Sequence, residues 1–115
     1  MRIDSHHHFW NYDPVEYGWI GEGMDVLKRD FGPADLGKVA KATKMDGFVS
    51  VQARQTIEET EWLCGFAEKS PLIRGVVGWV PLADFEAEKI LDSVLTPSLK
   101  GIRHVVQGEP DPEFI

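Results

Sequence analysis

Four short strand-like segments recur along the chain, each apolar near its start and followed by polar or functional side chains near its carboxyl end. They cover residues 2–10, 48–53, 73–80 and 101–106. From the second segment onward they begin roughly 25 to 28 residues apart, with helical patterns between them, which is typical of βα units with parallel strands. The second segment, Phe48-Val49-Ser50-Val51, reads as near-continuous apolar sequence, as a strand covered on both faces does. The pattern therefore predicts an α/β fold built on a parallel sheet.

Helical patterns fill the connections between these strands. A 3.6-residue apolar period predicts a helix over residues 34–44. Thr56, with Glu59 three residues later, forms a capping-box pattern that starts a second helix. Asp84 is the expected cap of a third helix, which would carry Phe85 on its apolar face.

The number of strands separates the possible architectures. A closed (β/α)8 barrel typically needs about 250 residues, whereas this chain has 115 residues and four predicted strands. An open doubly wound sheet would suit the length, but no Gly-rich phosphate loop follows the first strand. We therefore expect the amino-terminal half of a TIM-like barrel, about four βα units. On this interpretation, residues 1–115 form one partial barrel domain that is truncated at the carboxyl terminus.

The acidic composition excludes several classes of partner. The formal net charge is −7 and the isoelectric point is about 5.0, which argues against binding to nucleic acid or to an anionic membrane. The single cysteine, Cys64, allows no intrachain disulfide. The sequence begins without an apolar signal segment, and its apolar runs are too short to cross a bilayer. These features favour a soluble, cytoplasmic protein.

The residues best suited to chemistry lie in the first predicted strand. Asp4, His6 and His8 occupy alternate positions, and alternate residues of a strand point to the same face. Two imidazoles that converge in this way are suitable ligands for a divalent metal, with zinc the expected ion. They could equally donate hydrogen bonds directly, without a metal. Asp4 could orient a histidine or bond backbone groups beneath the site.

Polar residues also follow the other three strands, at the end where a parallel barrel builds its site. The candidate substrate-binding residues are Gln52, Arg54, Trp79, Arg103, His104 and Gln107. Arg103 and His104 point to opposite faces in a regular strand, so both would enter one pocket only at a bulge. We prefer His104, with Gln107 beyond it, and keep Arg103 as the lesser candidate.

Aromatic residues add a second kind of candidate. Trp79 is expected to form a pocket wall rather than to take part in chemistry. Tyr12, Tyr17 and Trp19 lie in the long loop after the first strand. They either cover the mouth of a pocket or pack the loop down as a satellite core.

Ordered motifs resemble a known family. Residues 3–10 are similar to the Asp-x-His-x-His-Phe-Trp opening of the amidohydrolase superfamily, and more narrowly to its sugar-acid and dicarboxylate lactonases, such as fucono- and rhamnonolactonase-like enzymes. Further matching pieces follow in order: Tyr12-Asp13-Pro14, Tyr17-x-Trp19-Ile20, Arg29-Asp30-Phe31, Val51-Gln52-Ala53, Glu59-Thr60, Gly75-Val76-Val77-Gly78-Trp79-Val80 and Gly101-Ile102-Arg103-His104-Val105-Val106-Gln107. The resemblance covers nearly all of the 115 residues.

The resemblance implies a distorted TIM barrel and hydrolysis of a lactone to its hydroxy acid. His6 and His8 match the metal-ligand histidines on the family's first strand. There they would polarise the carbonyl or the attacking water, directly or through a divalent metal. The family's later histidines and its acidic general base have no counterpart in this chain. Some members of the branch work without a tightly bound metal, so the cofactor is zinc or none.

Two other functions stay open. One is metal-dependent decarboxylation, the chemistry of the related aromatic-acid branch, although Phe9-Trp10 and residues 101–104 favour the lactonase. The other is a catalytically inert half-barrel, because the chain alone is expected to be inactive. Its two open sheet edges would favour a homo-oligomer.

Overall fold

The computed structural model describes residues 1–114 of the chain. Its strands are β1 (Ile3–His7), β2 (Gly47–Val51), β3 (Ile73–Gly78) and β4 (Leu99–Ile102). Its α-helices are α1 (Pro33–Thr43), α2 (Ile57–Lys69) and α3 (Ala87–Val94), and single 3-10 turns lie at Asp25–Leu27 and Val106–Gly108. Among these helices, none is both long and apolar enough to cross a membrane.

The four strands form one parallel sheet in the order β1-β2-β3-β4. Each strand therefore lies beside the next strand in the sequence, and the connecting helices cross over one face, as in half of a (β/α)8 barrel. Phe48 of β2 is opposite Asp4 on one side and Ile73 on the other, so β2 is paired along both edges. The predicted α/β fold on a parallel sheet is confirmed.

The main core lies between the sheet and the helices. Phe48 of β2, Leu63 of α2 and Val76 of β3 are almost completely buried there. Each buried apolar side chain of this size contributes roughly 1.5–3 kcal/mol relative to its exposed state. This layer holds the sheet rigid and leaves the carboxyl ends of the strands to carry the polar residues.

A second apolar cluster holds down the long loop between β1 and α1. It is built on the buried side chains of Trp10, Tyr17 and Ile20. The indole Nε1 of Trp10 also donates to the carbonyl oxygens of Leu27 and Arg29, at 3.3 and 3.0 Å. For Tyr17, the satellite-core interpretation of this loop is therefore correct.

The start of α2 follows the predicted capping box only in part. The hydroxyl of Thr56 accepts the N–H of Glu59 at 3.1 Å, as expected. The Glu59 carboxylate does not complete the box. It accepts the N–H groups of Ala53 and Arg54 in the preceding loop instead, at 3.0–3.1 Å. Glu59 therefore ties α2 to the end of β2.

Helix α3 begins later than predicted. Asp84 accepts the N–H of Glu86 at 2.8 Å, in a turn that precedes the helix. Phe85 lies in that turn and is 96% exposed, so its assignment to the apolar face was wrong. The short Asp side chain stabilises a local turn in competition with the helix, and the helix starts at Ala87.

Strands β1 and β4 both end earlier than predicted. β1 stops at His7 rather than Trp10, and β4 ends at Ile102 rather than at residue 106. Strict alternation of side chains holds only within a strand. The side chains that follow these two ends therefore take their direction from the loops.

Candidate active site

His6 and His8 converge at the carboxyl end of β1. Their Nε2 atoms are 3.2 Å apart, and the two rings meet edge to face with centroids separated by 4.9 Å. The predicted convergence is confirmed, although His8 lies one residue beyond the strand. His7 points away from the pair and contacts the hydroxyl of Ser50 at 2.8 Å; burial lowers the pKa of His7 to about 4.

The hydrogen bond of His8 to the backbone defines which ring nitrogen presents a lone pair. Its Nδ1 is 2.9 Å from the carbonyl oxygen of Val51. A carbonyl oxygen only accepts, so Nδ1 carries the hydrogen and Nε2 of the neutral ring is an acceptor. Burial lowers the pKa of His8, and the charges of His6 and Arg103 act in the same direction, while the Val51 carbonyl opposes them. The Nε2 lone pair of His8 thus faces His6.

Arg103 meets the histidine pair from the end of β4. Its Nη1 lies 3.2 Å from the Nε2 of His6. A guanidinium only donates, so the Nε2 of His6 also accepts. The salt bridges formed within residues 1–114 do not include Arg103. The Nε2 atoms of His6 and His8 and the guanidinium of Arg103 therefore lie close together, and no carboxylate of residues 1–114 neutralises the charge of Arg103.

The distance between the two imidazoles suits a shared metal ion. Nitrogen ligands at roughly 2.0–2.1 Å from a tetrahedral zinc are about 3.3 Å apart, close to the 3.2 Å between His6 and His8. Across residues 1–114, no three His, Cys, Asp or Glu side chains cluster closely enough to hold a metal. The pair therefore fits two coordination positions and leaves the others open.

Asp4 supports the strand rather than the imidazole rings. Its Oδ1 accepts the backbone N–H of His6 at 3.0 Å. Of the two roles considered for Asp4, the structure shows the bond to a backbone group. This bond stabilises the backbone from which the His6 ring projects.

A cleft of about 400 Å³ opens beside the histidine pair. Small-molecule pockets commonly measure about 300–1,000 Å³. The polar and aromatic side chains that line this cleft are His8, Trp19, Gln55, Arg103 and Gln107. Trp19 is 58% exposed at its rim, so the pocket-mouth interpretation suits Trp19 while the core interpretation suits Tyr17.

His104 and Trp79 form a separate cluster. The indole Nε1 of Trp79 donates to His104 Nδ1 at 3.0 Å, and His104 Nε2 contacts a carboxylate oxygen of Glu109 at 2.6 Å. Phe114 stacks on the imidazole, with ring centroids 4.8 Å apart. Of these two candidates, Arg103 contacts the histidine pair, whereas His104 contacts Trp79 and Glu109. The strand ends at Ile102, so alternation does not govern the direction of either side chain.

The two candidates after β2 do not reach the histidine cleft. Gln52 is fully buried, and its Nε2 donates to the carbonyl oxygen of Arg54 at 3.0 Å. Arg54 lines a different cleft of about 250 Å³, where its guanidinium lies 3.6 Å from Glu16. After β2, Ala53 and Gln55 line the cleft, and the side-chain oxygen of Gln55 accepts the N–H of Val105 at 2.8 Å. The sequence pattern does not single out Gln55, because Gln52 and Arg54 lie on one face only if β2 continues past Val51, where the strand ends.

The fold and the site together define a class of protein. Parallel βα units that gather polar side chains at the carboxyl ends of their strands are typical of (β/α)8-barrel proteins, whose functional sites lie at that end. The sequence profile of the Amidohydrolase family matches residues 3–114. The chain belongs to the amidohydrolase family, and the resemblance seen in its motifs is confirmed.

Comparison with curated relatives shows which members of the family are similar to this chain. L-fucono-1,5-lactonases of Burkholderia multivorans and Burkholderia ambifaria are 42% and 34% identical to this chain over 112 and 116 residues. The alignments cover 96% and 100% of this chain but 38% and 40% of the two lactonases. The chain therefore spans about two fifths of the length of these relatives.

Solved structures show the same relationship. A crystal structure of a Burkholderia multivorans amidohydrolase with bound zinc matches with a TM-score of 0.90 at 39% identity, and a crystal form with bound HEPES gives 0.89. Each match covers 96% of this chain and 39% of the other. The four-stranded unit is thus closely similar to part of a larger amidohydrolase.

Proposed function

We propose that the whole protein opens a sugar-acid lactone to its hydroxy acid, and that this chain contributes the His6–His8 part of the site. L-fucono-1,5-lactone is the first candidate substrate. One observation carries the proposal, namely the approach of the two Nε2 atoms to 3.2 Å beside a cleft of small-molecule size. The named activity of the two Burkholderia relatives supports the substrate class.

We propose His6 and His8 as two ligands of a divalent metal, with zinc the expected ion. Their spacing and the Nε2 lone pair of His8, which faces His6, fit such an ion. When bound, the ion would polarise a lactone carbonyl or lower the pKa of a bound water. The zinc in the Burkholderia multivorans structure supports the choice of metal.

Other residues of the chain would bind and orient the substrate. Arg103 supplies N–H donors and a positive charge for the carboxylate of the hydroxy acid or for the developing oxyanion. Gln107 and Gln55 line the same cleft and offer polar groups to sugar hydroxyls, while Trp19 forms an apolar wall. We expect Arg54, His104 and Trp79 to act outside this cleft.

A chimera tests the proposal. In it, this chain replaces the matching 112 residues of the Burkholderia multivorans lactonase. We expect the chimera to hydrolyse L-fucono-1,5-lactone, and His6→Ala or His8→Ala to lower kcat/KM roughly 100-fold or more, because each removes a group that acts on the reacting atoms. A folded chimera that leaves the lactone intact while the parent enzyme consumes it would overturn the proposal. So would full activity in the His6→Ala chimera, and turnover of carboxylated aromatic acids would favour the decarboxylase.

The 115-residue chain is the matched control for this experiment. We expect no useful turnover from it. Within residues 1–114 the two imidazoles lack the further acidic or histidine groups that would complete a metal site. Turnover by the purified chain that disappears in His6→Ala would contradict this expectation.

A further inference from the structure

We infer that Arg103 is a built-in competitor for the metal-binding nitrogen of His6. A divalent cation would then bind the histidine pair only when the Arg103 side chain moves away. The inference rests on the proposed function, because it concerns how the same site is loaded.

The competition follows from the number of lone pairs. An imidazole nitrogen that carries no hydrogen has a single lone pair in the plane of its ring. In the structure, the Nη1 of Arg103 donates to the Nε2 of His6 at 3.2 Å. A metal bound to this Nε2 at roughly 2.0–2.1 Å would need the same lone pair. The hydrogen bond and the coordination bond are therefore mutually exclusive.

Charge adds to the competition. The cation would enter beside a guanidinium that forms no salt bridge with any carboxylate of residues 1–114. Even in an aqueous environment, repulsion between a dication and a guanidinium at a few ångströms lowers affinity by roughly tenfold. The histidine pair thus favours its metal-free state while the hydrogen bond between Arg103 and His6 is present.

An Arg103 side chain that leaves His6 can bind a ligand in the adjoining cleft. Arg103 lines the cleft with Gln107, and a guanidinium binds carboxylates through paired N–H donors. A carboxylate ligand in the cleft would draw Arg103 away from His6 and so strengthen cation binding. By reciprocity, the cation would strengthen carboxylate binding by the same factor.

Zinc titration of the full chain by calorimetry tests the inference. We expect Arg103→Gln to bind Zn²⁺ roughly tenfold more tightly than the unsubstituted chain, because the substitution removes both the competing donor and the charge. Arg103→Lys keeps the charge without the guanidinium fork and should lie between the two. Arg54→Gln removes the same charge from the neighbouring cleft and should leave the zinc affinity unchanged. His6→Ala should abolish zinc binding at the histidine pair in every background, and urea unfolding checks that each variant is folded.

The outcomes separate this inference from the proposed function. Equal zinc affinities for the Arg103→Gln, Arg103→Lys and unsubstituted chains would overturn the inference and leave the lactonase proposal standing. Weaker zinc binding by a folded Arg103→Gln would make Arg103 a helper of metal binding and would also overturn it. If no variant binds zinc through His6, both the inference and the metal part of the proposal are wrong.

Discussion

The loop after β2, which borders the cleft beside His8, is held by a single buried residue, Glu59. Its side chain is completely buried, and its carboxylate accepts the N–H groups of Ala53 and Arg54. Burial raises the pKa of Glu59, while the two N–H donors and the charge of Arg54 act against the rise. The carboxylate thus holds the loop after β2 in place, at a cost in stability when it is ionised.

The raised pKa predicts a pH-dependent stability. The folded chain binds the Glu59 proton more tightly than the unfolded chain. The contribution to stability is therefore complete below the ordinary glutamate pKa of about 4.3 and is lost as the pH rises through the folded-state value. We expect the free energy of unfolding, taken relative to Glu59→Gln, to fall as the pH rises above the ordinary glutamate pKa of about 4.3.

Urea unfolding at a series of pH values measures this difference. Glu61→Gln is the control, because it makes the same chemical change at an exposed position of the same helix. A stability difference between the unsubstituted chain and Glu59→Gln that stays constant with pH would contradict the prediction.

At the level of elements, the contact between α2 and β3 positions the end of the third strand. Thr60 of α2 is fully buried, and its hydroxyl accepts the N–H of Trp79 and donates to the carbonyl oxygen of the same residue, both at 2.8 Å. Gly78 permits this approach, because a Cβ at position 78 would lie 2.6 Å from the Cγ2 of Thr60. One hydroxyl thus satisfies two backbone groups where the regular strand ends.

Removal of that hydroxyl should destabilise the chain. Thr60→Val keeps the shape of the side chain but leaves the N–H and carbonyl oxygen of Trp79 without this partner. We expect a loss of about 2 kcal/mol in the free energy of unfolding. Thr43→Val is the matched control, since the Thr43 hydroxyl bonds the carbonyl oxygen of Val39 on an exposed helix face. The control should cost less than about 0.5 kcal/mol, and equal losses in the two variants would refute the role of Thr60.

At the level of the whole molecule, the sheet is open on both sides. Within residues 1–114, β1 and β4 each pair with one neighbouring strand only. The extents of 43 × 38 × 21 Å are those of a slab, and Leu82, Phe85 and Leu95 are exposed around β3 and α3. Unpaired strand edges and exposed apolar side chains both favour contact with further polypeptide.

We therefore expect the isolated chain to self-associate through its strand edges. Sedimentation equilibrium should give an average mass above the 13.0 kDa of one chain, rising with concentration. The double variant Phe85→Ser and Leu95→Ser removes exposed apolar surface without altering a strand, so it should associate nearly as strongly. A species of constant 13.0 kDa mass would contradict the prediction, and loss of association in the double variant would assign it to the apolar surface instead.

The sequence alone determined the features that depend on local periodicity. The repeated βα pattern was sufficient for the α/β class and the parallel sheet, which the structure confirms. The alternation of Asp4, His6 and His8 was sufficient to predict that the two imidazoles lie together, and they do, although His8 lies one residue beyond β1 and its ring is held by the carbonyl oxygen of Val51. No information from distant residues was needed for either inference.

Only the tertiary structure decided which residues join the histidine pair. β2 and β4 end at Val51 and Ile102, and beyond these points alternation no longer sets the direction of a side chain. Arg103 turns to His6, 97 positions away in the sequence, while His104 turns to Trp79. Such contacts depend on packing between residues far apart in the chain, and therefore no local pattern in the sequence encodes them.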